Sequence, residues 1–237
     1  MPLVVSLNYR VLILALLLVP VLIGLGRWQL QRAAEKESIL SRYAQRQTQM
    51  PVSFADINQS DDLDYLPVTL VGRYDPDRYF LLDNKIQGGQ VGYDVLTPFY
   101  TEAGTWVIVN RGWVKAPLRR SELPKVNPLP EQTLELHAEI YVPPGEGYQL
   151  SGLETGQSLW PKIVTVFDSE FMATQLKTPL FPYQLRLRAD DPGALLTDWP
   201  TINVSPAKHR AYAVQWFAMA LALVIWLLVA SVRKRPE

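Results

Sequence analysis

The sequence predicts a membrane protein of α+β class, with an N-terminal and a C-terminal transmembrane helix flanking a mostly antiparallel β outer domain. Three observations predict it. Two runs without a charged residue, 11–26 and 211–232, lie near the two ends of the chain. Sixteen of the 19 prolines fall between them, in residues 27–210, where they disfavour long helices. Short β-prone stretches recur through the same interval, separated by turn signals.

The second run is the stronger span. Its 22 residues make a helix of about 33 Å at 1.5 Å per residue, enough for a hydrocarbon core of roughly 30 Å. The first run has 16 residues and is short, about 24 Å by the same rise. Tyr9 and Trp28 extend it to the depth that interfacial aromatics prefer. The first run also reads as a secretory signal, because Gly24-Leu25-Gly26 has the small-x-small form of a cleavage site. Arg233, Lys234 and Arg235 follow the second run, so the positive-inside rule places the C-terminus in the cytoplasm. With two spans, the expected division is a cytoplasmic N-terminus (1–10), a first helix (11–26), an outer, periplasmic domain (27–210), a second helix (211–232) and a cytoplasmic C-terminus (233–237). The cytoplasmic parts are too short to fold, which excludes a receptor with an internal output domain.

Composition narrows the function. The 237 residues carry 23 basic and 23 acidic side chains, so no basic excess supports a nucleic-acid partner. Arg10, Arg233, Lys234, Arg235 and Glu237 lie outside residues 27–210, which keep 19 basic and 22 acidic residues. There is no Cys, which excludes disulfides, CxxC redox chemistry and the bridging thiolates of a dinuclear copper centre. His137 and His209 are the only histidines, too few for a His-rich metal centre.

Within the outer segment, residues 27–46 lack Gly and Pro and are rich in helix formers, predicting a helix that continues out of the membrane. After Pro51 the expected strands are 68–74, 79–82, 93–99, 106–109, 133–142, 162–167 and 184–188. Turn signals at Asp75-Pro76, Gly88-Gly89, 128–130 and Pro143-Pro144-Gly145 separate them. Residues 106–109 are apolar on both faces, as in a central strand. One short helix is expected at 169–176, capped by Asp168. A barrel and a sandwich both fit this pattern.

Few constellations carry chemistry. Asp61, Asp62 and Asp64 lack the Gly and terminal Glu of a calcium loop and read as a solvated turn. No nucleophile elbow, phosphate loop, dinucleotide fingerprint or zinc-protease motif occurs. His137 falls on the polar face of its strand with Glu135 and Glu139 and reads as exposed. His209 stands two residues before the second run, and Tyr212, Ala213, Trp216 and Ala220 share its helical face. An imidazole above that stripe has the chemistry to ligate a porphyrin iron; an interfacial His at the wet boundary is the plainer reading.

Five stretches, in order, resemble the Surfeit locus protein family of cytochrome c oxidase assembly factors. They are Leu25-Gly26-Arg27-Trp28-Gln29-Leu30-Gln31-Arg32; Gly72-Arg73-Tyr74-Asp75-Pro76-Asp77-Arg78 with Leu81-Leu82-Asp83-Asn84; Gly92-Tyr93-Asp94-Val95-Leu96-Thr97-Pro98-Phe99; Val107-Ile108-Val109-Asn110-Arg111-Gly112-Trp113-Val114; and Asn203, His209, Tyr212-Ala213 and Trp216-Phe217. The resemblance implies two spans around a large outer domain and no enzymatic activity. It implies help in inserting haem a into the catalytic subunit of a haem-copper oxidase, alongside other assembly factors. It also implies a haem a ligand at His209, with Tyr212 and Trp216 beside it. The sequence departs from the family pattern at Arg210, Gln215 and Glu35-Lys36. Asn110-Arg111-Gly112-Trp113 is expected either to offer Arg111 and Trp113 to a partner or to serve structure. Gly72 and Gly112 are expected at bulges or turns, and Arg73 or Arg78 to pair with Asp75, Asp77 or Asp83. A haem-free scaffold for an oxidase intermediate is the alternative function, with Ala218 and Ala222 spaced for close helix contact. A membrane-anchored periplasmic enzyme is the third. Ten residues before the first run are too few for a mitochondrial presequence, so the expected location is a bacterial plasma membrane, with both termini cytoplasmic.

Overall fold

A computed structural model of the chain describes residues 3–5, 9–58, 62–119, 122–143 and 159–234. Asp61, the turn at Pro144-Gly145, Arg235 and Glu237 lie outside the described residues. In chain order the elements are β1 (Leu3–Val5), α1 (Tyr9–Gln47), β2 (Val52–Ser53), β3 (Pro67–Tyr74), β4 (Phe80–Gln87), β5 (Gln90–Thr101), β6 (Trp106–Lys115), β7 (Leu134–Tyr141), β8 (Lys162–Val164), α2 (Ser169–Leu176), β9 (Leu180–Leu187), α3 (Pro206–Ser231) and β10 (Val232–Lys234). They fall into two compact units: Met1–Ala44 with Pro200–Glu237, and Gln45–Trp199.

The first unit is helical, with β1 paired antiparallel to β10. Both helices are long and apolar enough to cross a membrane. Their apolar side chains, among them Leu16, Leu17, Leu221 and Val229, are mostly exposed, which separates them from buried helices of a soluble core. From Ala15 to Ala33 the least exposed positions of α1 are Ala15, Val19, Leu22, Gly26, Gln29 and Ala33, with Leu25 beside Gly26. On α3 they are His209, Ala213, Trp216, Ala220, Leu223 and Leu227, with Phe217 beside Trp216. Both sets alternate steps of four and three, the 3.5-residue period of a coiled-coil seam. Gly26 makes the approach possible: a Cβ there would lie 2.6 Å from the Phe217 ring. One of the small residues that also suit a cleavage site therefore has a packing role.

The second unit is β-rich, and of the two architectures left open it is a barrel. Its eight-stranded sheet runs β2-β3-β7-β9-β6-β5-β4-β8, and β3 also pairs with β5, so five strands close on themselves in the order β3, β7, β9, β6, β5. Most pairings are antiparallel; β2–β3, β4–β8 and β6–β9 are parallel. The interior is filled by alternate residues of each strand, including Val68, Leu70, Phe99, Val107, Val109, Leu136, Ile140 and Leu185, as the period-2 alternation of strands requires. Gly72 makes the closure possible: a Cβ there would lie 2.1 Å from the Tyr100 carbonyl oxygen. Its role is close approach rather than the expected bulge or turn. Gly112 does sit at an irregularity, with φ of +118°, where the β5–β6 register jumps from Asp94↔Trp113 to Leu96↔Asn110.

The α2 helix packs Met172 and Leu176 on a second cluster with Phe80, Leu82, Leu96 and Ile108. Its start is the expected one: the Asp168 carboxylate accepts a bond from Phe171 N at 3.0 Å, a side-chain N-cap. β4 runs five residues beyond the expected end at Leu82. Its second half, from Asp83, is polar, and a register shift between Leu82 and Lys85 separates it from the first, so apolar content does not reveal it. The expected ion pair forms between Arg78 and Asp75, at 2.6 Å.

Candidate functional site

The residues singled out by sequence fall in both units, and each unit places them differently. In the helical unit, His209 sits in the first turns of α3 and is half-buried. Its Nδ1 lies 2.7 Å from Gln29 Oε1 of α1. An amide oxygen only accepts, so an imidazole protonated at Nδ1 would donate to it and keep its lone pair on Nε2. Arg210 reaches α1 as well, bonding to the Glu37 carboxylate.

The stripe below His209 is not an open surface. Ala213 and Ala220 are 1% and 5% exposed, and with Trp216 they are seam positions. Tyr212 is 49% exposed and lies off the seam. The helical face grouped around His209 in the sequence is therefore split, with the small residues facing inward and Tyr212 remaining accessible. The physical reason is the 3.5-residue spacing, which gives α3 one closely packed side. Ala218 and Ala222 lie outside that side and are exposed.

In the β unit, Arg111 and Trp113 are both buried, which fits the structural one of the two roles expected for them. Arg111 is 2% exposed. Its Nε donates to Gly193 O at 2.7 Å and its Nη2 to Asn127 O at 3.4 Å, while its guanidinium carbon lies 5.9 Å from the Tyr74 ring centroid. Burial pulls the Arg111 pKa below its usual value, with Tyr74 and Tyr79 opposing the shift. Arg111 thus anchors the segments around 127 and 193 to β6. Trp113 is 9% exposed. It donates from Nε1 to Lys85 O at 3.1 Å, and its ring occupies the space where a Gly92 side chain would be, 2.3 Å from an added Cβ. Both residues face inward because the motif forms the body of β6.

Sequence reasoning missed a polar chain on the outer face of the barrel. Asn110 Nδ2 donates to Gln184 Oε1 at 3.0 Å and to Asp94 Oδ2 at 3.3 Å. Burial raises the Asp94 pKa, with Lys85 and the Asn110 bond opposing. Nearby, the Arg186 guanidinium carbon lies 3.5 Å from the Tyr141 ring centroid and 5.3 Å from that of Trp199. Arg186 is also 3.9 Å from Glu139, which accepts from Gln47 at 2.7 Å. These residues alternate with the apolar core along their strands, and that alternation was the available signal. His137 is less free than expected: its Nδ1 lies 3.1 Å from Asp191 Oδ1, and Asp191 comes from a loop that sequence cannot place. Asp62 of the acidic cluster pairs with Arg46 at 3.2 Å. Among the described residues no group of three or more His, Asp and Glu side chains is placed to hold a metal ion.

The comparisons with known proteins agree on one family. The chain is 25% identical over 211 residues to a SURF1-like protein of Rickettsia felis, covering 86% of this chain and 89% of that protein. It is 27% identical over 221 residues to an uncharacterised SURF1-like protein of Mycobacterium bovis, covering 86% and 75% respectively. It is 32% identical over 143 residues to the human Surfeit locus protein 1, covering 53% of this chain and 45% of that one. The profile of the SURF1 family matches residues 16–221, reaching from the first apolar helix through the barrel into the second. With the family's motifs distributed over both helices and the strands of the barrel, the chain belongs to the SURF1 family.

Proposed function

We propose that this chain is a non-enzymatic assembly factor of a haem-copper cytochrome c oxidase, helping haem a into the catalytic subunit and holding it transiently at His209. One observation carries the oxidase reading: the family match extends through residues 16–221 and so takes in both helices and the barrel. The protein would lie in a bacterial plasma membrane with both termini cytoplasmic and residues 27–210 in the periplasm. Arg233, Lys234 and Arg235 support that orientation through the positive-inside rule. Its partners would be the oxidase catalytic subunit and other assembly factors.

The donor chemistry at His209 fits a haem: a neutral imidazole with Nδ1 engaged by Gln29 offers Nε2 to a metal. Haem, when bound, supplies an iron that takes an imidazole lone pair. The expected resting stripe fits less well, because Ala213, Trp216 and Ala220 lie in the seam. Tyr212 is then the accessible aromatic residue beside the ligand. The test is the visible spectrum of the detergent-purified protein from a host that makes haem a, compared with His209→Ala. A haem signal that is lost in the variant while its far-UV dichroism is unchanged supports the reading. A folded His209→Ala protein with unchanged haem content removes His209 from it.

The closed stripe favours a second reading, a haem-free scaffold. Ala218 and Ala222, exposed on another side of α3, would suit close approach of a partner helix. A deletion strain that fills the oxidase haem site normally but loses a subunit would favour the scaffold. One that assembles subunits with an empty haem site would favour haem insertion.

A further inference from the structure

We infer that Gln29 is the positioning residue for His209: from the first apolar helix it holds the ring on the second as the Nδ1–H tautomer and leaves Nε2 as the one nitrogen able to ligate. The inference rests on the proposed haem site only for its consequence, since the geometry belongs to the pair itself. The two side chains meet at 2.7 Å. Which imidazole nitrogen is protonated is set by the hydrogen bond the other makes. Ligating histidines that donate their second N–H to a fixed acceptor are held in orientation and made more basic.

The surroundings explain why this contact decides the ring's position. Gln29 lies in the α1 seam between Gly26 and Ala33, and His209 lies one step from Ala213 in the α3 seam. Gly26 makes room for the Phe217 ring, and one turn further along α1 the polar pair links the two helices. A polar residue at one seam position also fixes register. The ligand then exists in its competent form only when the two helices are paired, so uptake of a metal-bearing ring is coupled to the helix pair rather than to α3 alone.

The test uses the full chain in lipid nanodiscs, labelled with 15N-histidine. Only two imidazoles contribute, and His209→Ala identifies the signal. In its neutral form, wild-type His209 should be protonated at Nδ1. Gln29→Leu should lose that state, and Gln29→Asn, whose amide is one methylene short, should lose it without adding an apolar residue. Gln29→Glu, still an acceptor of the same length, should keep it. Haemin titrated into the same nanodiscs should bind about 10–100-fold more weakly to the Leu and Asn variants than to wild type, with Glu restoring affinity. A wild-type ring protonated at Nε2, or a tautomer that Leu and Asn leave unchanged, overturns the inference. If the tautomer follows Gln29 as expected but no protein, wild type included, takes up haemin, the haem proposal fails and the positioning role stands.

Discussion

Replacing Gly72 with Ala tests whether the barrel closes through the β3–β5 pairing. The added carbon would lie 2.1 Å from Tyr100 O and 2.9 Å from Thr101 Cα, whereas a relaxed C···O contact is about 3.3–3.6 Å. The strands must separate by more than an ångström, and both near atoms are backbone, so no rotamer relieves the clash. Two hydrogen bonds flank the seam, Glu102 N to Val71 O at 2.8 Å and Asp75 N to Pro98 O at 2.9 Å. Each contributes about 0.5–1.5 kcal/mol net. The edge-to-face contact of Tyr74 with Phe99 across the same seam, at 5.0 Å, adds about 0.5–1.5 kcal/mol. Losing all three costs about 1.5–4.5 kcal/mol, out of a domain stability of roughly 5–15 kcal/mol. At about 2–4 °C per kcal/mol for a unit of this size, Tm should fall by about 3–18 °C. The assay is thermal unfolding of the detergent-solubilised chain by near-UV dichroism, with amide exchange at Glu102 and Asp75 as the local reading. A Gly72→Ala protein that melts with wild type and keeps both amides protected would show that closure does not depend on this approach.

Three further outcomes follow from the same geometry. Burial raises the folded-state pKa of Asp94 above its ordinary 3.8, so the stabilisation linked to its protonated form is complete below the unfolded value and is lost as pH rises through the raised one; Asp94→Asn should be more stable than wild type in urea at neutral pH, with the gap closing in acid. Arg111→Leu strands the carbonyls of Gly193 and Asn127 and should cost about 2–4 kcal/mol, the lost desolvation of the charge offsetting part of roughly 1–3 kcal/mol per unpaired group, with faster proteolysis around residue 193 as the readout. Ala220→Leu overfills the helix seam and should weaken pairing of α1 with α3 by about 1–3 kcal/mol in a cysteine cross-linking assay, whereas Ala218→Leu, on an exposed position, should leave pairing intact.

The elements legible in the sequence share one property: their signal is local. The uncharged runs at 11–26 and 211–232 need no tertiary context to be recognised, because length and composition alone meet the thickness of a bilayer. The α2 cap is equally local, an Asp three residues from the amide it binds. The core strands β3, β6 and β7 were also readable, since their apolar residues alternate or run together. The second half of β4 was not, because it carries Asp83-Asn84-Lys85 and owes its strand geometry to pairing with β5. Closure of the barrel was likewise hidden. Gly72 reads as any turn glycine until Thr101 is known to lie across from it, 29 positions along the chain.

The candidate site divides along the same line. His209 was found by its place relative to the second run, a local property, and its helical neighbours followed from periodicity. Periodicity names every residue on one side of a helix, but not which of them another helix will cover. That depends on α1, 180 residues from His209 at Gln29, and it separates Tyr212 from Ala213 although they are adjacent in sequence. The Asn110-Arg111-Gly112-Trp113 motif fits the structural one of its two expected roles for a related reason. Polar and aromatic residues in one short stretch suggest exposure, yet β6 is paired on both sides, with β5 and β9, and has no free edge. Its arginine must then find acceptors inside the fold, which it does in the carbonyls of two loops. A motif at the centre of a closed sheet is therefore read better as a set of internal bonds than as a surface, whereas in the helix pair Gln29 and His209 form a polar contact just beyond the apolar spans.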